Sequence, residues 1–187
     1  MRRAVFLDRD GVINRKAPEG DYIKSVPELV LLPLVGRSIH RLNQANWLVV
    51  MVTNQRGIAR KLMTVADLEA IHEELSTRLE REGARIDLFY SCAHDTTDGC
   101  DCRKPRPGMI LAAGCEHDLD LNASWMIGDR PSDIEAGRSA GCRTILVGPL
   151  SNDPSARTRA GADHAVSDLA AAVDVVLSES PAPFEPD

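Results

Sequence analysis

Short apolar runs alternate along this chain with longer stretches in which apolar residues recur every three or four positions. The short runs predict strands, most clearly at residues 4–7 and 47–52. The longer stretches predict helices. Residues 65–82 show this pattern best, because an apolar stripe runs from Leu68 to Leu79 and Thr64 is a candidate N-cap. The other predicted elements are helices at residues 35–46, 107–117, 131–140 and 169–177 and strands at residues 86–90, 124–127, 143–147 and 161–166.

The order of these elements predicts the fold class. Strands that alternate with helices favour an α/β fold with a doubly wound parallel sheet, and nearly continuous apolar strands fit a sheet covered on both faces. We expect one domain over residues 1–177, without a separate cap domain, and a flexible tail over residues 178–187, which are rich in Pro, Glu and Ser. Ligands of such folds bind beyond the carboxyl ends of the strands.

Composition narrows the classes of partner. The chain has 187 residues, 43% of them hydrophobic, which is enough for a core and excludes a disordered protein. A net charge of −6 disfavours nucleic acid and anionic membranes but leaves room for a small anion bound by local cations. No apolar run is long enough for a membrane span or a signal peptide, so we expect a cytoplasmic protein. Since no exposed apolar stripe demands a partner, we expect a monomer. Of the five cysteines, Cys115 and Cys142 fall on predicted apolar faces and are expected in the core.

Two carboxylates follow the first predicted strand, in the sequence Asp8-Arg9-Asp10-Gly11. An exposed turn would also explain them, but an EF-hand calcium loop would not, because Ile13 stands where that loop needs glycine. Mg²⁺ prefers oxygen ligands, so Asp8 is a candidate metal ligand and a candidate nucleophile for phosphoryl transfer. Asp10 is then the candidate general acid and base.

Polar side chains also follow the later strands. Thr53 offers a hydroxyl group to a phosphate oxygen, although an ordinary strand–loop junction would explain it too. Lys104 is either a surface cation or a charge that lowers the repulsion when a carboxylate attacks a phosphate. Asp129 and Asp133 suit the first turn of a helix. Because Asp129 shares its edge of the sheet with Asp8, it is also a candidate magnesium ligand, and Asp133 would support it.

A third group of polar residues forms a metal-binding pattern within eleven residues: Cys92, His94, Cys100 and Cys102. Three thiolates and an imidazole suit tetrahedral zinc, and a closed set of four ligands indicates a structural site. A disulfide would leave one thiol over and is disfavoured in a reducing compartment. We expect zinc to order a polar loop that has no core of its own, and so to fix the adjacent cations Arg103 and Lys104.

Taken together, Asp8-x-Asp10, Thr53, Lys104 and Gly128-Asp129-x3-Asp133 resemble the four motifs of the haloacid-dehalogenase (HAD) superfamily of phosphatases, in order and in position, across residues 4–147. The resemblance implies that Asp8 is the nucleophile and Asp10 the acid and base. It implies Mg²⁺ bound by Asp8, the carbonyl group of Asp10 and Asp129, with Thr53 and Lys104 stabilising the transferring phosphoryl group. Implied substrate contacts, besides Asp8, Asp10, Thr53 and Lys104, are Arg9, Lys16, Tyr22, Asn54, Gln55, Arg56, Arg103 and Arg130.

The zinc loop and the residues at 102–109 narrow the resemblance to sugar bisphosphate phosphatases of this superfamily. Histidinol-phosphate phosphatases share the four motifs and a similar zinc loop, so they stay open as an alternative. A catalytically silent module that binds zinc and magnesium and partners other proteins is the third possibility. The chain departs from the family pattern at Val12, where Thr is common, at Arg130, where many relatives have Lys, and in a longer loop at residues 15–22.

Overall fold

The described residues, 1–155 and 160–179 of a computed structural model, form a parallel sheet with helices on both faces. The strands are Ala4–Leu7 (β1), Leu48–Asn54 (β2), Leu88–Cys92 (β3), Trp125–Gly128 (β4), Arg143–Leu146 (β5) and His164–Ala165 (β6). The helices are Val35–Gln44 (α1), Val65–Glu80 (α2), Gly108–Glu116 (α3), Pro131–Ser139 (α4) and Leu169–Ser178 (α5). The strand order is β3-β2-β1-β4-β5-β6, so the predicted doubly wound sheet is confirmed.

Alternation along β1 divides the core between the two faces of the sheet. Val5 and Leu7 pack with the cluster that holds the apolar faces of α1, α2 and α5, whereas Ala4 and Phe6 pack with α3 and α4. All four side chains of β1 are buried, which is why this central strand reads as a continuous apolar run.

Local capping explains where the helices begin. The Thr64 side chain accepts a hydrogen bond from the backbone N–H of Asp67, and the Asp67 carboxylate accepts one from the backbone N–H of Thr64, so the predicted cap at Thr64 is confirmed as a capping box. Asp168 caps α5 in the same way by accepting from the backbone N–H of Ala171. α5 ends at Ser178, and residues 180–187 of the expected tail lie outside the described residues.

Two expectations need correction. The third strand lies at Leu88–Cys92 rather than 86–90, because the side chain of Asp87 accepts the backbone N–H of Val49 before the ladder starts. The ladder then continues until Cys92 pairs with Asn54. Cys142 is buried as expected, but Cys115 is exposed, since it falls beside the face of α3 that packs on the sheet.

The strand order reverses at β1, which has β2 on one side and β4 on the other. In doubly wound sheets this reversal opens a crevice at the carboxyl ends of the strands. Asp8 follows β1 and Asp129 follows β4, so the fold places both carboxylates at the crevice. Within the described residues, we find no helix with the length and apolar character of a membrane span.

Candidate active site

Asp8 lies at the tip of β1 against a buried lysine. Its backbone N–H donates to the carbonyl oxygen of Ile127 at 3.0 Å, which continues the β1–β4 ladder by one residue. The Lys104 ammonium lies 2.6 Å from Asp8 Oδ1, 2.7 Å from Asp133 Oδ1 and 2.8 Å from the carbonyl oxygen of Val52. These contacts account for its three donors, so the ammonium group is fixed between two carboxylates.

The charge balance at this point is negative. The pKa of Asp8 is raised to about 7, chiefly by burial and in part by the carboxylates of Asp133 and Asp129, even though Lys104 opposes the shift. Burial alone would lower the pKa of Lys104, but Asp133 and Asp8 hold it above its usual value. Two ammonium groups, those of Lys104 and Lys16, thus stand against three buried carboxylates, which leaves a net negative charge that favours a bound cation.

The carboxylates meet the requirements of a magnesium site. Oxygen atoms of Asp8, Asp129 and Asp133 lie within 4.8 Å of one another, and Asp129 Oδ1 is buried without a hydrogen-bond partner among the described residues. The other oxygen of Asp129 contacts the Lys16 ammonium, so a cation already stands beside this carboxylate. The residues present therefore fit Mg²⁺, which prefers carboxylate oxygens.

Asp133 is committed to other partners. Its Oδ1 accepts from Lys104, and its Oδ2 accepts from the backbone N–H of Arg130 at 3.0 Å. Its side chain reaches this position across Gly128, where an added Cβ would lie only 2.1 Å from the Cβ of Asp133. Because both oxygens are engaged, Asp133 serves the site by fixing Lys104, which leaves Asp8 and Asp129 as the better metal ligands.

Asp10 is held from behind by buried polar side chains. Arg9 donates to both of its carboxylate oxygens, and Gln55 donates to Asp10 Oδ2 at 3.1 Å and to the Thr53 hydroxyl at 2.8 Å. Gly11 has φ +105°, and an added Cβ would clash with Lys16 and Asp129, so the turn after Asp10 needs glycine.

A cavity of about 610 Å³ opens above Asp8. The predicted site residues that line it are Asp8, Asp10, Lys16, Tyr22, Thr53, Asn54, Arg56, Arg103, Lys104 and Arg130. Arg9 and Gln55 are buried behind Asp10 and do not reach its wall. The two were expected to contact substrate, and the structure instead places them against Asp10, because their positions next to the motif aspartate and threonine bring them into the core.

The predicted substrate residues have different partners at the cavity rim. Arg56 pairs with Asp95 of the zinc loop at 2.7 Å, and Arg103 donates weakly to the carbonyl oxygen of His94 at 3.4 Å. Arg130 is exposed. Asp95 was missed by the sequence analysis because a single polar residue between zinc ligands carries no distinctive signal.

The four predicted zinc ligands form a compact cluster. Their ligand atoms lie within 4.8 Å of one another, with Cys92 Sγ 3.7 Å from Cys100 Sγ and His94 Nδ1 3.2 Å from Cys102 Sγ. A zinc–sulfur bond of about 2.3 Å gives tetrahedron edges of about 3.8 Å, so the donor set fits zinc. Burial and the neighbouring thiols raise the pKa of Cys102 to about 12, and zinc would displace its proton.

The backbone of Lys104 connects the zinc cluster to the sheet. Asn54, at the end of β2, donates to the Lys104 carbonyl oxygen at 3.0 Å and accepts its N–H at 3.1 Å. Arg106, which the sequence analysis overlooked, donates to the carbonyl oxygens of Gly99 and Cys100. The segment that carries Lys104 is therefore anchored on one side by β2 and on the other by the zinc loop.

Comparison with known proteins places this site in a family. A family model described as HAD-hydrolase-like matches residues 101–172. The D-glycero-beta-D-manno-heptose-1,7-bisphosphate 7-phosphatase of Pseudomonas aeruginosa is 43% identical over 146 residues, covering 78% of this chain and 81% of that protein. The protein of the same name from Bordetella bronchiseptica is 37% identical over 181 residues, covering 95% and 99%.

A solved structure agrees with these relatives. The crystal structure of D,D-heptose 1,7-bisphosphate phosphatase from B. bronchiseptica, complexed with magnesium and phosphate, matches this chain with a TM-score of 0.86 at 37% identity. The match covers 95% of this chain and 99% of that one. The chain belongs to the family of HAD-like phosphatases, which are phosphoric monoester hydrolases. Within that class, these relatives are heptose bisphosphate phosphatases.

Proposed function

We propose that this protein is a Mg²⁺-dependent phosphatase that removes the 7-phosphate of D-glycero-D-manno-heptose 1,7-bisphosphate through an aspartyl-phosphate on Asp8. The observation that carries the proposal is the placement of Asp8 at the sheet crevice, 2.6 Å from Lys104 and within 4.8 Å of Asp129. Relatives that cover nearly the whole chain and bear this name support the choice of substrate.

In the first step an oxygen of Asp8 attacks phosphorus, and the bond from phosphorus to the sugar oxygen breaks. Asp10 lines the same cavity and gives its proton to the departing sugar oxygen. Thr53 donates to a phosphoryl oxygen, and the positive charge of Lys104 stabilises the charge that moves onto the phosphoryl group. A Mg²⁺ ion held by Asp8, Asp129 and the carbonyl group of Asp10 would reduce the repulsion between the carboxylate and the phosphate.

In the second step the acyl phosphate on Asp8 is hydrolysed. Asp10, now ionised, takes a proton from a water molecule, and the water oxygen attacks phosphorus. The bond between phosphorus and Asp8 breaks, inorganic phosphate leaves, and Asp8 returns as a carboxylate. The same two carboxylates therefore serve both half-reactions, with Asp10 exchanging the roles of acid and base.

The cations at the cavity rim are suited to bind the distal phosphate of the sugar. We assign Arg103 and Arg130 to that group, because both line the cavity and neither forms a carboxylate ion pair in the described part of the chain. Lys16 and Tyr22, on the loop that covers the cavity, would contact the sugar. Recognition by such short loops suits a fold without a cap domain.

The proposal also includes the expectations from the sequence for zinc, cellular location, oligomeric state and pathway. Zinc is structural and orders the loop that ends at Cys102. The enzyme works in the cytoplasm as a monomer, and its product serves the synthesis of ADP- or GDP-heptose, the precursors of lipopolysaccharide and related glycans.

A direct comparison of substrates tests the proposal. We expect kcat/KM to be highest for one anomer of the heptose bisphosphate and lower for the other anomer and for histidinol phosphate. A preference for histidinol phosphate of more than about tenfold, which is about 1.4 kcal/mol in transition-state binding, would overturn it. The Asp8→Asn variant should turn over none of these esters. If the wild type also hydrolyses no phosphate ester, the chain is the silent metal-binding module instead.

A further inference from the structure

Asp10 is surrounded by donors that lie outside the cavity. Arg9 Nε and Nη2 lie 3.2 and 3.1 Å from Asp10 Oδ1, and Arg9 Nη2 lies 2.9 Å from Oδ2. Asn14 Nδ2 donates to Oδ1 at 2.9 Å, and Gln55 Nε2 donates to Oδ2 at 3.1 Å. Arg9, Asn14 and Gln55, which we call the Asp10 cradle, are at most 1% exposed, so substrate in the cavity cannot touch them.

The buried charge of Arg9 has no evident structural purpose. Its guanidinium is fully buried, and its Nη1 atom has no hydrogen-bond partner among the described residues. Burial of a charged pair is often no better for stability than burial of apolar side chains of similar volume. Since the partner of Arg9 is Asp10, the group assigned above as acid and base, its location points to a role in the reaction.

The cradle also connects Asp10 to two other parts of the site. The Gln55 amide bridges Asp10 to the Thr53 hydroxyl, which lies 2.8 Å from Gln55 Nε2 at the end of β2. The Asn14 amide bridges Asp10 to the carbonyl oxygen of Arg15, where the covering loop begins, at 2.8 Å. The Asp10 carboxyl group is therefore held in a fixed direction relative to Thr53, the proposed donor to the phosphoryl group, and relative to the loop at residues 15–22.

We propose that Arg9 and Gln55 are positioning residues, which act through Asp10 by holding its carboxyl group in line with the leaving oxygen of the substrate. The proposal rests on the function proposed above, because it takes Asp10 as the proton donor. A misplacement of about 1 Å at a reacting group lowers rates by about 100-fold, so loss of the cradle should matter far more than loss of a remote hydrogen bond.

The test compares two leaving groups. A sugar alkoxide needs a proton from Asp10, whereas the p-nitrophenolate of p-nitrophenyl phosphate leaves without one. We expect Arg9→Met and Gln55→Met to lower kcat/KM for the heptose bisphosphate by about 100-fold and for p-nitrophenyl phosphate by less than about fivefold. Arg9→Lys, which keeps the charge and a donor, should recover part of the loss on the sugar.

The controls separate positioning from simple destabilisation. Thr144 is also fully buried and hydrogen-bonded, to Asp163, but lies outside the site, so Thr144→Val should leave both kcat/KM values unchanged. Equal losses on both substrates for Arg9→Met and Gln55→Met, or no loss, would overturn the proposal. If Arg9→Met does not fold, the result for Gln55→Met decides. Asp10→Asn must show the leaving-group difference itself, and its failure to do so would overturn the role of Asp10 rather than that of the cradle.

Discussion

The two candidate metal centres are built in opposite ways. The carboxylates of Asp8, Asp129 and Asp133 are all buried at the ends of packed strands or in the first turn of α4. In the zinc cluster Cys92 is buried, whereas His94 is exposed. The packed strands thus fix the carboxylates of the first centre, whereas three of the four residues of the second lie in a loop, whose order we expect to depend on a bound metal.

The contacts around each centre make the same distinction. At the carboxylate centre, Lys104 occupies a fixed position between Asp8 and Asp133 without any metal. In the zinc loop, the polar contacts lie mostly between near neighbours, such as the hydrogen bond from the Asp95 N–H to Asp98. We therefore expect a metal at the first centre to add chemistry to a formed site, and a metal at the second to add structure.

Replacement of Lys104 tests whether the carboxylate centre is formed by its own charges. In Lys104→Met, the buried carboxylates of Asp8 and Asp133 lose their shared cation, which should lower the free energy of unfolding by about 3–5 kcal/mol. Activity should fall by about 100- to 1,000-fold, because the phosphoryl group also loses a neighbouring positive charge. Denaturant unfolding and kcat/KM measure the two effects. Lys24→Met, which removes an exposed pair with Asp21, is the matched control and should change stability by less than about 1 kcal/mol.

The pH dependence of magnesium binding sharpens the comparison. Asp8 has a raised pKa of about 7 in the folded, metal-free protein. Between about pH 4 and 7 the unfolded chain has lost this proton and the folded chain has kept it, so stability falls as pH rises through that window, by up to about 4 kcal/mol. Mg²⁺ needs the ionised form, so its apparent affinity should be about tenfold weaker at pH 6 than at pH 8.

Titration calorimetry of the metal-free protein measures this difference. In Asp8→Asn the amide oxygen still offers a ligand but cannot ionise, so the pH dependence between 6 and 8 should disappear. Equal Mg²⁺ affinity of the wild-type protein at the two pH values would contradict the idea that Mg²⁺ binding at this centre is limited by the proton on Asp8 rather than by disorder of the site.

The difference between the carboxylate centre and the zinc cluster also explains which residues could be predicted from the sequence. Asp8 and Asp129 follow short apolar strands, and parallel strands bring such positions to one edge, so periodicity alone placed these residues. The zinc ligands were predicted from donor type and spacing. Arg9 and Gln55 were misplaced because adjacency to a motif residue does not reveal which way a side chain turns. The Arg56–Asp95 pair joins loops 39 residues apart, and no local pattern encodes that distance.

Removal of zinc should affect the loop before the sheet. In the zinc-depleted Cys100→Ser protein, with Mg²⁺ saturating, we expect kcat/KM to fall by at least about tenfold, because Arg103 and Lys104 lose one of their two anchors. The apparent affinity for Mg²⁺ should change by less than about threefold. Cys115→Ser, a substitution at an exposed cysteine outside the cluster, should leave both values unchanged. Full activity of the depleted Cys100→Ser protein would show that zinc does not position these cations.

The smallest expected effect concerns the ion pair that joins the zinc loop to the sheet side of the cavity. Arg56 and Asp95 are both partly exposed, so their interaction should contribute about 0.2–1 kcal/mol in a double-mutant cycle of Arg56→Met and Asp95→Asn. In the zinc-depleted protein, Asp95 loses its fixed position beside His94, and the coupling energy should fall to zero. A coupling energy that is unchanged by zinc removal would mean that the loop keeps its structure without the metal. Both centres would then be formed without a metal.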